Sequence, residues 1–189
     1  VLLFGGYTVM DVHMIRQAEP AEKLLNQDNA DSNALSQLTI NVSSLMTESV
    51  SLDNSAMLTS VINEVHDTSA NSITFDAKRD DGTIGYRSSL ATIDTYGAMS
   101  NVGSDSIGSI KRLIENDIMP VARICCYKDN VLPSHNKDLA VKKGKKLYTD
   151  SQGNNYLDPN NEQVYNYILD IVRELKGYGV QVFVLYDYN

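Results

Sequence analysis

The chain has 189 residues, 42% hydrophobic and 21% charged, a composition that suits a soluble globular domain with one substantial core. Its formal net charge of -8 argues against a nucleic-acid partner, because phosphate binding depends on concentrated Lys and Arg.

Residues 1–10 are apolar but only about half the length needed to cross a bilayer. They read either as the trailing half of a signal sequence or membrane anchor, or as a short buried strand. Residues 16–37 are rich in Asn, Asp, Gln, Glu, Ala and Ser and read as a linker or weak helix. The expected organisation is an N-terminal remnant and linker over 1–37 and a folded domain over 38–189.

From residue 38 onward, strand and helix signals alternate. The β-branched run 38–42 predicts a strand, and Asp53, Asn54 and Ser55 then offer N-cap chemistry to a helix with Met57, Leu58, Val61, Ile62 and Val65 on one face. A second strand is predicted over 72–77. After a Gly- and Ser-rich stretch, Ile107, Ile110, Leu113 and Ile114 fall at helical spacing, and Pro120 introduces a third strand over 121–126. The basic cluster Lys142, Lys143, Lys145 and Lys146 around Gly144 sits between a strand and a helix, as a solvated loop or a contact for an anionic ligand. Asp158 as N-cap and Pro159 at the first helical position predict a helix carrying Val164, Ile168, Ile171, Val172 and Leu175, stopped by Gly177 and Gly179. The near-continuous apolar run 180–186 suits a strand covered on both faces.

Three of these strands end in charged residues: Asp76 and Lys78, then Lys128 and Asp129, then Asp187. A buried parallel strand carries charge at its C-terminal end where that end opens onto a site. Adjacent Cys125 and Cys126 would form only a strained disulfide, and His13, His66 and His135 are scattered, so no metal site is expected. No Gly-x-Gly-x-x-Gly or phosphate-loop motif follows a strand. This argues against a nucleotide-binding doubly wound domain, and no cofactor is expected.

The motif 75–82 (Phe-Asp-Ala-Lys-Arg-Asp-Asp-Gly) with Tyr86 and Ser88, then Ala122-Arg123-Ile124 with Tyr127-Lys128-Asp129, Leu139-Ala140-Val141, Leu157-Asp158-Pro159, and Tyr178-Gly179 leading to Leu185-Tyr186-Asp187 occur in the order of a bacterial family. The chain resembles that glycoside hydrolase domain family, long carried as a domain of unknown function and distantly similar to α-amylase-type barrels. Two departures are Tyr127, where members usually have Phe, and the absence of a Phe-Pro after Asp187. The resemblance implies an α/β fold of the TIM-barrel type, with this chain supplying the first four strand-helix units of a (β/α)8 barrel whose strand ends bind a carbohydrate.

Glycosidic cleavage ordinarily uses two carboxyl groups flanking the bond. Asp187, held after an apolar run and matching the nucleophile position of amylase-type barrels, is the first candidate for nucleophile or base, or else a strand-end cap. Asp129 is the upstream substitute for the second group, which a later strand would otherwise supply, or else a ligand to sugar hydroxyls or a partner for a cation. Asp76 and Lys78, two apart, would share a face and pair with each other or contact substrate. Arg123 could orient Asp187 or Asp76, Lys128 belongs to the same substrate-binding set, and Tyr86 could stack on a sugar ring. Glu174 reads as structural.

The expected function is hydrolysis of a poly- or oligosaccharide, with this chain inactive alone; the alternative is a non-catalytic glycan-binding or cell-wall-associated barrel domain. Four strands cannot close a barrel, so self-association through open sheet edges is expected. The apolar start and the resemblance together suggest an extracytoplasmic or membrane-anchored bacterial protein.

Overall fold

The computed structural model describes residues 42–47, 54–100, 102 and 105–187, with the backbone of 3–4 and 7–8. The chain divides into two compact units, residues 1–42 and 43–189. In the first, β1 (Leu3–Phe4) pairs antiparallel with β2 (Tyr7–Thr8). The readings of 16–37 as a linker, of 38–41 as a strand and of Asp53 as a cap lie outside the described residues.

The second unit is a four-stranded parallel sheet in the order β3 (Ser44–Thr47), β4 (Ser72–Lys78), β5 (Met119–Cys125), β8 (Val182–Tyr186). The strand before the first helix is thus 44–47, beyond the predicted 38–42. Each crossover contains helix: α1 (Ser55–His66), then α2 (Ala91–Thr95) and α3 (Ser106–Glu115), then α4 (Leu132–His135) and α5 (Glu162–Gly177). This is the alternation that parallel pairing requires, since a hairpin cannot reverse the chain for it.

Local chemistry sets the helix starts. The Asn54 side chain accepts from the N–H groups of Ala56 and Met57, and the Asp105 side chain accepts from Gly108. The helix predicted from Asp158 and Pro159 begins later, at Glu162, with Asn161 as the cap accepting from Gln163 N–H. The Asp158 carboxylate is instead committed to a turn, taking the Asn160 N–H at 2.9 Å.

One face of the sheet is covered by helices, completely over the two central strands. Ile73, Phe75 and Ala77 of β4 and Ala122 and Ile124 of β5 pack with Leu58, Ile62, Val65, Ile110, Leu113, Val164, Ile171 and Leu175 from the helices. Met57 and Ile114, predicted on the buried faces, are each 42% exposed, because the stripes that pack are 58/62/65 and 110/113. The opposite face carries Ser44, Thr74, Asp76, Arg123, Val182 and Val184, and at its edge Met46, 57% exposed. In a closed barrel that face would line the interior. Among the described residues no helix is long and apolar enough to cross a membrane.

Phe75 has no solvent exposure and sits at the centre of the covered face. Phe75→Ala is expected to destabilise the domain by about 3–5 kcal/mol, read as a lowered urea midpoint with an unchanged slope.

Candidate active site

Because the four strands run parallel, their C-terminal ends share one edge of the sheet. Asp76 and Lys78 near the end of β4, Arg123 in β5, Lys128 and Asp129 just after it, and Asp187 just after β8 all lie towards that edge. The structure sorts them into two kinds of environment.

Asp76 and Arg123 are direct neighbours in the β4–β5 register. The guanidinium donates from Nε to Oδ1 at 2.5 Å and from its terminal nitrogen to Oδ2 at 3.0 Å, the two-pronged match that a planar fork gives a carboxylate. Arg123 also lies over the Tyr186 ring, 4.9 Å from its centroid, so its plane is fixed from two directions. The pair is 18% and 20% exposed, dry enough to be rigid and open enough to meet a ligand.

Lys78 does not pair with Asp76. A register shift between the two residues sets Asp76 opposite Arg123 and Lys78 opposite Ile124, so they do not share a face as their spacing alone predicts. Lys78 instead lies 3.0 Å from Asp129 Oδ2, both side chains fully buried, and its ammonium reaches the Lys128 carbonyl at 3.4 Å. The other Asp129 oxygen accepts the N–H groups of Val131 and Leu132 at 2.8 and 2.9 Å. The Lys78 contact holds Oδ2 by charge, without a well-aligned hydrogen bond. Gly82, at φ 92°, passes so close that a Cβ there would collide with this carboxylate. Asp129 is thus buried and roofed, with Lys78 as its counter-ion, the cation partnership open to it from the sequence.

Tyr86 is enclosed as well. Its ring is fully buried, edge-on to Tyr178 with centroids 6.3 Å apart, so it presents no face to a sugar. Its hydroxyl donates to Glu174 at 2.7 Å. Glu174 also accepts from the Ser88 hydroxyl (2.6 Å), the Ser89 N–H (2.6 Å) and hydroxyl (2.7 Å), and the Tyr178 hydroxyl (2.9 Å). Burial alone would raise the Glu174 pKa, but these donors outweigh it and hold the carboxyl below its ordinary range. The Tyr86 phenol is pushed far up by burial and by this carboxylate.

The rim is more open. Lys128 reaches Asp80 at 3.1 Å, with Asp80 45% exposed. Asp187 is half-buried, and its charge helps to raise the thiols of Cys125 and Cys126 and the phenol of Tyr127, although burial is the largest cause for each. Asp187 therefore stands among these groups at the strand ends. Sequence reasoning gave no role to Asp80, to the Tyr186 ring or to Ser88, Ser89 and Tyr178 as donors to Glu174, although all of these but Ser89 stand inside the quoted motifs. Among the described residues no group of three or more His, Cys, Asp or Glu could hold a metal ion.

A parallel sheet with helices on its outer face, charge at the strand ends and an inner face of mixed polar and apolar residues describes part of a (β/α) barrel, and the comparisons agree. A family model described as "Putative glycosyl hydrolase domain" matches residues 44–189, and the chain belongs to that family. A hypothetical protein from Ruminiclostridium thermocellum ATCC 27405 is similar at 26% identity and a TM-score of 0.66, over 74% of this chain and 73% of that one. A noncanonic maltogenic α-amylase, AmyB, from Thermotoga neapolitana is similar at 12% identity and a TM-score of 0.55, over 75% of this chain but 38% of its own. The α-galactosidase TtGalA from Thermus thermophilus follows at 15% and 0.53, over 78% of this chain and 31% of its own. At those identities the two enzymes show the fold alone. No curated protein matches.

Two outcomes test these assignments. Lys78→Met alone should cost about 3–5 kcal/mol by chemical denaturation, because it leaves a buried carboxylate unpaired, and adding Asp129→Asn should recover part of that loss. Glu174 has a lower pKa folded than unfolded, so its stabilisation is present above the ordinary glutamate range and is lost as pH falls through the depressed folded value. Glu174→Gln should therefore flatten the acid limb of a plot of thermal midpoint against pH.

Proposed function

We propose that this domain contributes half of the active-site mouth of a glycoside hydrolase acting on a poly- or oligosaccharide, with Asp187 as nucleophile or base. The observation that carries the reading is the strand-end edge itself: Asp187 after β8, on the same edge as the half-open Asp76–Arg123 pair, on a chain whose family is that of glycosyl hydrolase domains. A carboxylate at the end of a strand is held with little freedom to move, as a group that must attack or stabilise an oxocarbenium-like centre needs to be. Asp76 and Arg123 would meet sugar hydroxyls as one acceptor-donor unit, and Lys128 with Asp80 would form the rim.

With Asp129 sequestered, the acid partner comes from outside residues 42–187, and the 189-residue chain alone is inactive. Among the described residues no strand pairs the outer edges of β3 and β8, and open edges favour self-association until they are paired. We place the protein in bacteria, outside the cytoplasm or anchored to a membrane. A non-catalytic glycan-binding domain is the second reading, favoured if no carboxylate stands at the end of the next strand.

In the whole protein, Asp187→Asn should abolish glycoside cleavage, screened on a glycan panel by reducing-end release, with the thermal midpoint nearly unchanged. Retained cleavage would assign Asp187 to capping and favour the binding-domain reading. Light scattering of the isolated chain at tens of micromolar should show dimers or larger species; a sharp monomer would refute the open-edge account.

A further inference from the structure

The connection leaving β5 carries a feature that the strand-end site does not use. β6 (Lys142–Lys143) pairs antiparallel with β7 (Lys146–Leu147) around a two-residue turn whose first residue is Gly144 at φ 66°. A Gly with positive φ at that place is what a tight hairpin turn requires. The pairing sets Lys143 directly opposite Lys146, and Lys145 stands at the tip. Like charges facing each other across a strand pair destabilise it, so the hairpin holds an arrangement that an anion would relieve.

Lys142 is neutralised by Asp138 at 2.6 Å. Lys143, Lys145 and Lys146 are exposed and make no ion pair among the described residues. This concentration of positive charge occurs on a chain of net charge -8. The hairpin also belongs to the strand-end side, because the connection that holds it leaves the C-terminal end of β5. At its base the Tyr148 N–H donates to the Val141 carbonyl at 2.9 Å, and the Val141 N–H donates to the Tyr156 carbonyl at 2.8 Å. The Tyr148 and Tyr156 rings lie 5.9 Å apart, and Tyr148 is 39% exposed. The Tyr156 phenol is pushed up to about 12, first by its bond to Asp150 and then by burial, with the Asp187 charge contributing. The Leu157 N–H donates to the Tyr127 carbonyl at 2.7 Å, which sets the aromatic pair against the loop that follows β5, on the strand-end side.

We infer that the 142–147 hairpin is a subsite for an anionic substituent, a carboxylate, sulfate or phosphate, on a saccharide whose body reaches the strand ends past Tyr148. Lys143 and Lys146 grip the oxyanion from two sides, Lys145 closes the tip, and the exposed ring of Tyr148 gives the sugar an apolar face.

This inference rests on the carbohydrate reading, and affinity electrophoresis of the purified chain separates the two. Gels would contain polygalacturonate (carboxylate), heparin (sulfate) or neutral pullulan, with a single-stranded oligonucleotide as competitor. Polygalacturonate or heparin should retard the chain about tenfold more strongly than pullulan, and added salt should weaken that preference. The triple variant Lys143→Gln, Lys145→Gln, Lys146→Gln should lose the preference and keep its response to pullulan, while the corresponding Arg variants keep both. Its thermal midpoint should not fall, since the substitutions remove a like-charge pair, and this separates lost binding from lost folding. Unchanged retardation of the triple variant by the anionic glycan, or an oligonucleotide bound as tightly as that glycan, would overturn the inference. Retardation by pullulan alone would overturn it while leaving the carbohydrate reading standing, and no retardation by any glycan would count against both.

Discussion

The buried ion pair between Lys78 and Asp129 governs the strand-end side of this domain. Removing two charges from water is expensive, and their attraction repays the cost only when geometry and hydrogen bonds are good. Here the carboxylate has a cation on one oxygen and two backbone donors on the other. The pair joins the end of β4 to the loop after β5, and Gly82 must pass over it without a side chain. Neighbouring backbone contacts lock the same loops: Asn130 N–H donates to the Asp81 carbonyl at 2.9 Å, and Asp129 N–H donates to the Asn155 carbonyl at 3.0 Å. The open rim pair Lys128–Asp80 is built on this support.

The register shift at the end of β4 gives that pair its place. A strand with uninterrupted alternation would present Asp76 and Lys78 to the same side. The irregularity lets one strand serve two purposes, with Asp76 facing Arg123 on the half-open side and Lys78 turned to a buried partner. Neighbouring opposite charges thus acquire different tasks: the exposed pair can exchange contacts with a ligand, whereas the buried one cannot do so without stranding a charge.

Much of the architecture was legible because it rests on local periodicity. The spacing of Val164, Ile171 and Leu175 and the apolar run before Asp187 identify α5 and β8, and the recurring strand-helix alternation implies a parallel sheet. Partner choice was less legible. Tyr86 and Glu174 are 88 residues apart and meet only because α5 packs beside the loop after β4, so neither residue announces the other. Asp129 looks like a strand-end acid until its neighbours are known, and the shift that separates Asp76 from Lys78 has no signature in residue type. The start of α5 was misread because Asp158 and Asn161 are both good caps, and the turn at Asn160 had already engaged the first.

Glu174 has a consequence for motion. Its carboxylate gathers donors from Tyr86, Ser88 and Ser89 and fastens the loop after β4 to an outer helix. Swinging that loop open would break four hydrogen bonds to one carboxylate at once, so the tether works against its use as a lid. The connection after β4 is thereby made part of the fixed wall of this edge and not a moving part of it.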